Sequence, residues 1–339
     1  MKKNNRVLKA TAVSPANIAF IKYWGQKDSK LILPCNNSIS MNIDNCLTTT
    51  TVEFSPKYKR DIVKIKFFGE KEKERKGRRT NQLLTQVDRF RKMAEIDWKV
   101  KILSRNSFPS DAGIADSASA FSALTFALTK ALGLEFNKKE LSIQTRLAGS
   151  GSACRSIIDG FAEWKKGNSS HSSYAVQIAD EDHWSLADIV VVVNQQLKEV
   201  SSWRGHQLAE TSFYFKARLK ELPERVKKTR QAIKTKNFEL LGQMIEQDAV
   251  SMHFITMTSK PPVFYWNGTT LDIIQALRRW RKNGLLGYFT IDAGPNVHVI
   301  CQQKDIKTLE RKLKRISGVK FTIINKPCRG ARIVRKHLF

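Results

Sequence analysis

The sequence has no run of about 18 apolar residues, so no segment is expected to span a membrane. Its first twenty residues, MKKNNRVLKATAVSPANIAF, carry basic side chains but no continuous apolar core before a cleavage site, and do not read as a secretory signal. Cysteine is scarce: Cys35, Cys46, Cys154, Cys301 and Cys328 are widely spaced, odd in number and form no CxxC. Reduced thiols in a cytoplasmic protein, without a metal cluster, are expected. Acidic residues are also few, 31 against 59 lysines and arginines, a formal charge of +28. Such a field attracts nucleic acid, anionic lipid or phosphorylated metabolites; a solvated basic face accounts for it as well. The basic residues crowd positions 59–79 and 329–336, in amphipathic segments and without a zinc-finger, RNP-like or basic-zipper pattern. Charge alone therefore does not make this a basic nucleic-acid-binding protein, and no nucleic-acid partner is expected. There is no GxxxxGK[ST] loop, dinucleotide fingerprint, HExxH or nucleophile elbow, which argues against those phosphate-binding and hydrolytic classes.

What is present is globular. Apolar residues make up 41% and aromatics 9% of 339 residues, enough for a large core in one α/β unit or two domains. No repeat or Gly/Ser linker appears. The first 70 residues read as strands, 71–92 as a charged loop entering a helix, and WKVKILSRN as a strand. An Ala- and Leu-rich helix ends at Gly133, and Asn137 caps the next, which breaks at 149–151. LADIVVVVN is a buried strand; 201–211 looks like a loop. Helices, two strands, a helix and a strand close the chain. Strands mixed with helices, without an alternating βαβ run, predict α+β. A change of character near residue 190 divides the chain into 1–188 and 189–339.

Four stretches carry candidate chemistry. FPSDAGIADSAS (108–119) opens the Ala-rich helix, where freed backbone N–H groups cradle phosphate or small residues pack on a sheet. Asp116 opposes a phosphate there unless Mg²⁺ lies between them. GSGSACRS (149–156) gathers three hydroxyls and Arg155 around two glycines, an anion clamp or a Ser/Gly turn. NIAFIKYWGQKD (17–28) ends an apolar strand on Lys22, either a surface residue or a buried cation that depresses a nearby aspartate's pKa. FTIDAGPNVHVI (289–300) sets Asp292 at the mouth of a Gly-Pro turn between two strands, either solvated or deliberately placed.

With GFAEW and PPVFYW, these blocks occur in an order that resembles the mevalonate 5-diphosphate decarboxylases, a branch of the GHMP kinase superfamily, from about residue 11 to about 330. The resemblance implies a two-domain GHMP-kinase fold: an N-terminal domain like ribosomal protein S5 domain 2 and a GHMP-type C-terminal α+β domain. It implies ATP- and Mg²⁺-dependent decarboxylation of mevalonate 5-diphosphate to isopentenyl diphosphate, in the mevalonate pathway, by a homodimer. It makes Asp292, Lys22 and Arg155 the catalytic residues. Tyr23, Gln26, Ser150, Ser152, Ser202 and Arg204 would face the substrate. Pro109, Ser110, Ala112, Gly113, Ala115, Asp116 and Ser117 would hold ATP, with Asp116 the metal candidate. Three departures matter. Gln26 stands where the family often has lysine, SSWRG where it often has SSR, and Asp116 where it usually has serine. Fewer cations for the distal phosphate keep a phosphomevalonate decarboxylase, acting on mevalonate 5-phosphate, as the alternative; a mevalonate 3-kinase is the third reading.

Overall fold

The computed structural model describes residues 7–109, 116–193 and 199–339. The chain is α+β, built on two large sheets, with Gln26–Asp28 and Leu33–Pro34 pairing as a separate two-stranded ribbon. The N-terminal half contributes β1 (Leu8–Ile21), β2 (Gln26–Asp28), β3 (Leu33–Pro34), β4 (Ser38–Ser55), β5 (Ile62–Lys66), β6 (Lys73–Glu74), α1 (Arg78–Met93), β7 (Lys99–Asn106), α2 (Asp116–Ala131), α3 (Lys138–Arg146), β8 (Phe161–Trp164) and β9 (Ala175–Ala179). It also holds a 3-10 turn at Gly151–Arg155. β1 is buried along nearly its whole length, as its apolar run requires, and pairs antiparallel with β4. That pairing shifts register between Ala19 and Ile21. Such irregularities bend a strand and re-aim its side chains; here the bend immediately precedes Lys22.

Helix α2 packs on β1 and β4 through small residues. Ala118, Ser119, Ser122 and Ala123 are buried, and the Ser119 and Thr48 hydroxyls lie 2.7 Å apart. Small side chains let the helix backbone approach the sheet closely, so its N-terminus reaches the cleft. Helix α3 starts where predicted, with Asn137 and Glu140 exchanging a capping box.

The C-terminal half runs β10 (Leu186–Val192), α4 (Ser202–Leu208), α5 (Phe215–Thr235), α6 (Phe238–Met257), α7 (Gly268–Lys282), β11 (Gly287–Thr290), β12 (Val297–Gln302), α8 (Ile306–Leu313) and β13 (Phe321–Asn325). Its sheet has the order β11-β12-β10-β13, antiparallel throughout. The last strand, β14 (Arg332–Val334), returns to pair with β1. Lys236 in the left-handed region separates α5 from α6, and the Asn237 side chain caps α6.

One core joins the halves. Ile18 and Phe20 of β1, Val190 and Val192 of β10, Leu222 of α5 and Ile245 of α6 belong to a single buried cluster. The cleft between the sheets is therefore held by apolar packing on its floor.

One element differs from expectation. Residues 201–211 are helix α4 followed by a 3-10 turn, Ala209–Thr211, and are not a loop. The Ser201 hydroxyl caps α4 by accepting from the Arg204 N–H. Gly205, which argues against a helix locally, packs against Trp24: a Cβ there would lie 2.6 Å from the indole. Tertiary packing overrides the low propensity of glycine.

Candidate active site

The end of β1, the 3-10 turn, the first turns of α1, α2 and α4, and the β11–β12 connection surround one cleft of about 310 Å³. Lys22 is 2% exposed. Its Nζ donates to the Ala19 carbonyl at 2.8 Å and to Asp292 Oδ1 at 2.5 Å. Of the two readings left open, Lys22 is the buried cation. Asp292 follows β11 in a turn closed by the Gly294 N–H to its own carbonyl at 2.7 Å. Its side chain is only 20% exposed and held by Lys22, so it is not a solvated loop aspartate. Burial alone would raise its pKa, but Lys22, His298 and Arg155 outweigh burial and hold it below the ordinary carboxylate value. Burial pulls the Lys22 ammonium below its ordinary value, against Asp292 and Asp248.

Arg155 ends the 3-10 turn and is 2% exposed. Its guanidinium donates to Ser40 Oγ at 2.8 Å, Ser38 Oγ at 2.5 Å and Asn17 Oδ1 at 3.0 Å. These hydrogen-bond partners are all neutral. A buried charge without an ionic partner is costly, and this one lines the cleft. It is built to receive an anion.

The small-residue blocks meet beside it. Ser150 Oγ lies 3.1 Å from Ser117 Oγ and 3.2 Å from Ser152 Oγ, a row of hydroxyls along one wall. Tyr23 accepts a 2.5 Å bond from Gln26 Nε2, and its ring lies 4.1 Å from that of His206. Ser202 lines the cleft; Arg204 does not. The Arg204 side chain is exposed and donates to Gln207 at 3.2 Å. Trp203 takes the cleft position instead, so the extra residue in SSWRG turns the arginine outward. Pro109 is buried. Ser110, Ala112, Gly113, Ala115 and the Asp116 side chain lie outside the described residues.

Two cationic cleft residues escaped sequence reasoning. Arg78 and Arg79 open α1, and the Arg78 guanidinium stacks 3.6 Å from the Trp203 ring centroid. Cations at a helix N-terminus face the positive end of its dipole. An anion in the cleft reverses that penalty. The signal was in the run KERKGRR, which read as a charged loop.

The matches to known proteins agree with this geometry. Residues 14–175 match the diphosphomevalonate decarboxylase-like N-terminal domain, and 188–331 the mevalonate 5-diphosphate decarboxylase C-terminal domain. The diphosphomevalonate decarboxylase of Ganoderma lucidum is 35% identical over 325 residues, 89% of this chain and 80% of that protein. This chain belongs to the diphosphomevalonate decarboxylase family. Among solved structures of the family, mevalonate diphosphate decarboxylase from Staphylococcus aureus superimposes with a TM-score of 0.90 at 36% identity, covering 97% of this chain and 99% of that one. The structure of MDDEF in complex with MVAPP, AMPPCP and magnesium gives 0.89 at 35%, covering 98% and 100%. The expected fold class, two-domain α+β of the GHMP kind, holds across this decarboxylase family member.

Proposed function

We propose that this chain uses ATP to convert mevalonate 5-diphosphate into isopentenyl diphosphate, releasing ADP, phosphate and CO₂. Besides family membership, the observation that carries the reading is the Lys22–Asp292 pair opening onto the same cleft as the ionically unpaired Arg155. The substrate class needs those two features together: a group to orient a tertiary hydroxyl, and a cation for a carboxylate.

Asp292, ionised and fixed by Lys22, accepts a hydrogen bond from the C3 hydroxyl and aligns its oxygen for phosphoryl transfer. A carboxylate is too weak a base to deprotonate a tertiary alcohol in advance. Proton transfer is therefore late, and positioning with electrostatics supplies most of the rate. Arg155 holds the substrate carboxylate. When the C3–O bond of the phosphorylated intermediate breaks, the electrons of the C–CO₂ bond form the new double bond. The Lys22 ammonium, held on Asp292 beside the reacting hydroxyl, would balance charge that develops at C3.

Among the described residues the cleft's lining has four cationic side chains, Lys22, Arg78, Arg79 and Arg155, against one carboxylate, Asp292. That excess suits a carboxylate, a diphosphate and a nucleotide. Arg78 and Arg79 supply charge that Gln26 and the outward Arg204 do not, which favours the diphosphate over mevalonate 5-phosphate. Among the described residues no three His, Cys, Asp or Glu side chains gather to bind a metal. Mg²⁺ accepts hydroxyl, phosphate and water oxygens, so Ser117 and Ser150 with the nucleotide's own phosphates fit it. When bound, it would neutralise phosphate charge. Five unpaired cysteines agree with a reducing, cytoplasmic setting. A homodimer fits the surface ridge of Phe213, Tyr214 and Phe254, which stack on one another.

The test is an ATP-coupled assay on mevalonate 5-diphosphate and mevalonate 5-phosphate in parallel, following ADP and CO₂. Preference for the diphosphate, weakened at high salt or by Arg79→Ala, supports the reading. Preference for the monophosphate replaces it with the phosphomevalonate reaction. ADP without CO₂ moves the chain to a 3-kinase.

A further inference from the structure

Lys22 and Asp292 lie 270 residues apart and come from different sheets, yet the reaction needs them in register to a fraction of an ångström. One helix grips both. Asp248 of α6 is wholly buried, and its Oδ2 accepts the Lys22 backbone N–H at 2.6 Å. Its Oδ1 lies 3.1 Å from Arg218 Nη1 and accepts from Arg225 Nη1 at 3.2 Å, both arginines on α5. Arg218 Nη2 also reaches Oδ2 at 3.3 Å. Five residues along α6, the wholly buried His253 binds the Ile291 carbonyl through Nε2 at 3.2 Å. Ile291 immediately precedes Asp292. The carbonyl can only accept, so Nε2 carries the proton. Neither Asp248 nor His253 lines the cleft, so neither touches substrate.

We propose that α6 is the positioning element of the reacting pair, with Asp248 fixing Lys22 through its backbone N–H and His253 fixing Asp292 through the Ile291 carbonyl. The inference rests on Lys22 and Asp292 being that pair. It adds two positioning residues outside the cleft.

The charges predict a signature that mere packing would not give. The charged groups facing Lys22 are Asp292 from the β11–β12 turn, Asp248 from α6 and Arg155 from the 3-10 turn. The two carboxylates favour the ammonium; burial and Arg155 oppose it. Arg218 and Arg225 face Asp248 from α5. His253 stays neutral, because burial pushes its pKa down to about 3. Asp248→Asn keeps a hydrogen-bond acceptor but removes one carboxylate, so Lys22 loses its proton at lower pH. Arg225→Gln removes a cation that competes for Asp248, so the opposite follows.

The experiment measures kcat, KM and their pH profiles on the full chain. Asp248→Asn is expected to lower kcat about 10- to 100-fold with KM unchanged, and to move the alkaline limb of kcat down by about half a unit or more. Arg225→Gln is expected to keep kcat within about two-fold and move that limb upward. His253→Phe lowers kcat, and His253→Gln, which can still donate, restores most of it. Met244→Ala, a buried change on the same helix, lowers Tm and leaves the limb in place. An Asp248→Asn enzyme whose limb matches the wild type, or whose kcat loss tracks Tm as in Met244→Ala, overturns the proposal. If Asp248→Asn does not fold, the Arg225→Gln limb decides: upward supports, unmoved overturns. Full CO₂ release by Asp292→Asn would instead overturn the assignment of Lys22 and Asp292 as the reacting pair, while ADP without CO₂ from the wild-type chain would overturn the decarboxylase reading itself.

Discussion

Asp292→Asn is the most informative single change, because it removes a charge and almost no volume. The amide oxygen can still accept from Lys22, so the geometry survives while the ion pair does not. At 2.5 Å and an effective dielectric of about 20, the gross attraction is about 7 kcal/mol. Most of that offsets desolvation, and breaking a buried pair costs about 3–5 kcal/mol in practice. Asp292 is partly exposed and Asn keeps a hydrogen bond, which place the expected loss of stability at or below about 3 kcal/mol. The catalytic loss is larger in consequence: losing a positioned acid–base group costs about 10²- to 10⁴-fold in kcat. A second signature concerns pH. In the variant, Lys22 stays buried without its carboxylate, so its folded-state pKa falls further below the unfolded value. Between those two values the unfolded chain binds the proton and the folded chain does not, so stability rises with pH, by about 1.4 kcal/mol for each unit separating them. The assays are ATP-coupled CO₂ release and urea unfolding from neutral pH to about 10. A variant that keeps a tenth of the wild-type kcat, or whose stability does not climb with pH more than the wild type's, would refute the reasoning.

Arg155→Gln should raise KM for the carboxylate substrate about 100-fold, while Tm holds or rises because an ionically unpaired buried charge has gone; a fall in Tm at unchanged KM would contradict the anion-clamp assignment. Because Asp292 lies below the ordinary carboxylate pKa, its stabilising ion pair and the activity are present above that value and lost only as pH falls through the depressed one. The acid limb that Asp292 sets should therefore lie below the ordinary carboxylate value, checked against Asp292→Asn in the same buffers. Gly205→Ala should drive a methyl into Trp24 and lower stability by about 1–3 kcal/mol in thermal melts, with kcat reduced through displaced α4.

Much of the site was legible as residue type and order. Lys22, Arg155, Ser150, Ser152 and Asp292 stand out because glycine, small residues or a strand end isolates each, and all five line the cleft. Arg78 and Arg79 did not stand out, because a basic run reads the same whether it faces solvent or phosphate. Arg204 failed for a related reason: a one-residue insertion turns a helical side chain by about 100°, and a linear match cannot show which way it then points.

By itself the sequence determined most of the elements. Apolar runs made the strands, Asn137 and the glycines bounded helices, and the motif order determined the family. The tertiary structure decided what those residues are to one another. The burial of Lys22 and Arg155, the ion pair between chain positions 22 and 292, the helix formed around Gly205 and the grip of α6 on both reacting residues all depend on long-range packing. Local periodicity sets which face a residue takes on its own element. Only the closure of two sheets over a shared core sets how far it lies from a residue elsewhere in the chain, and the charge state of a buried pair follows from that distance.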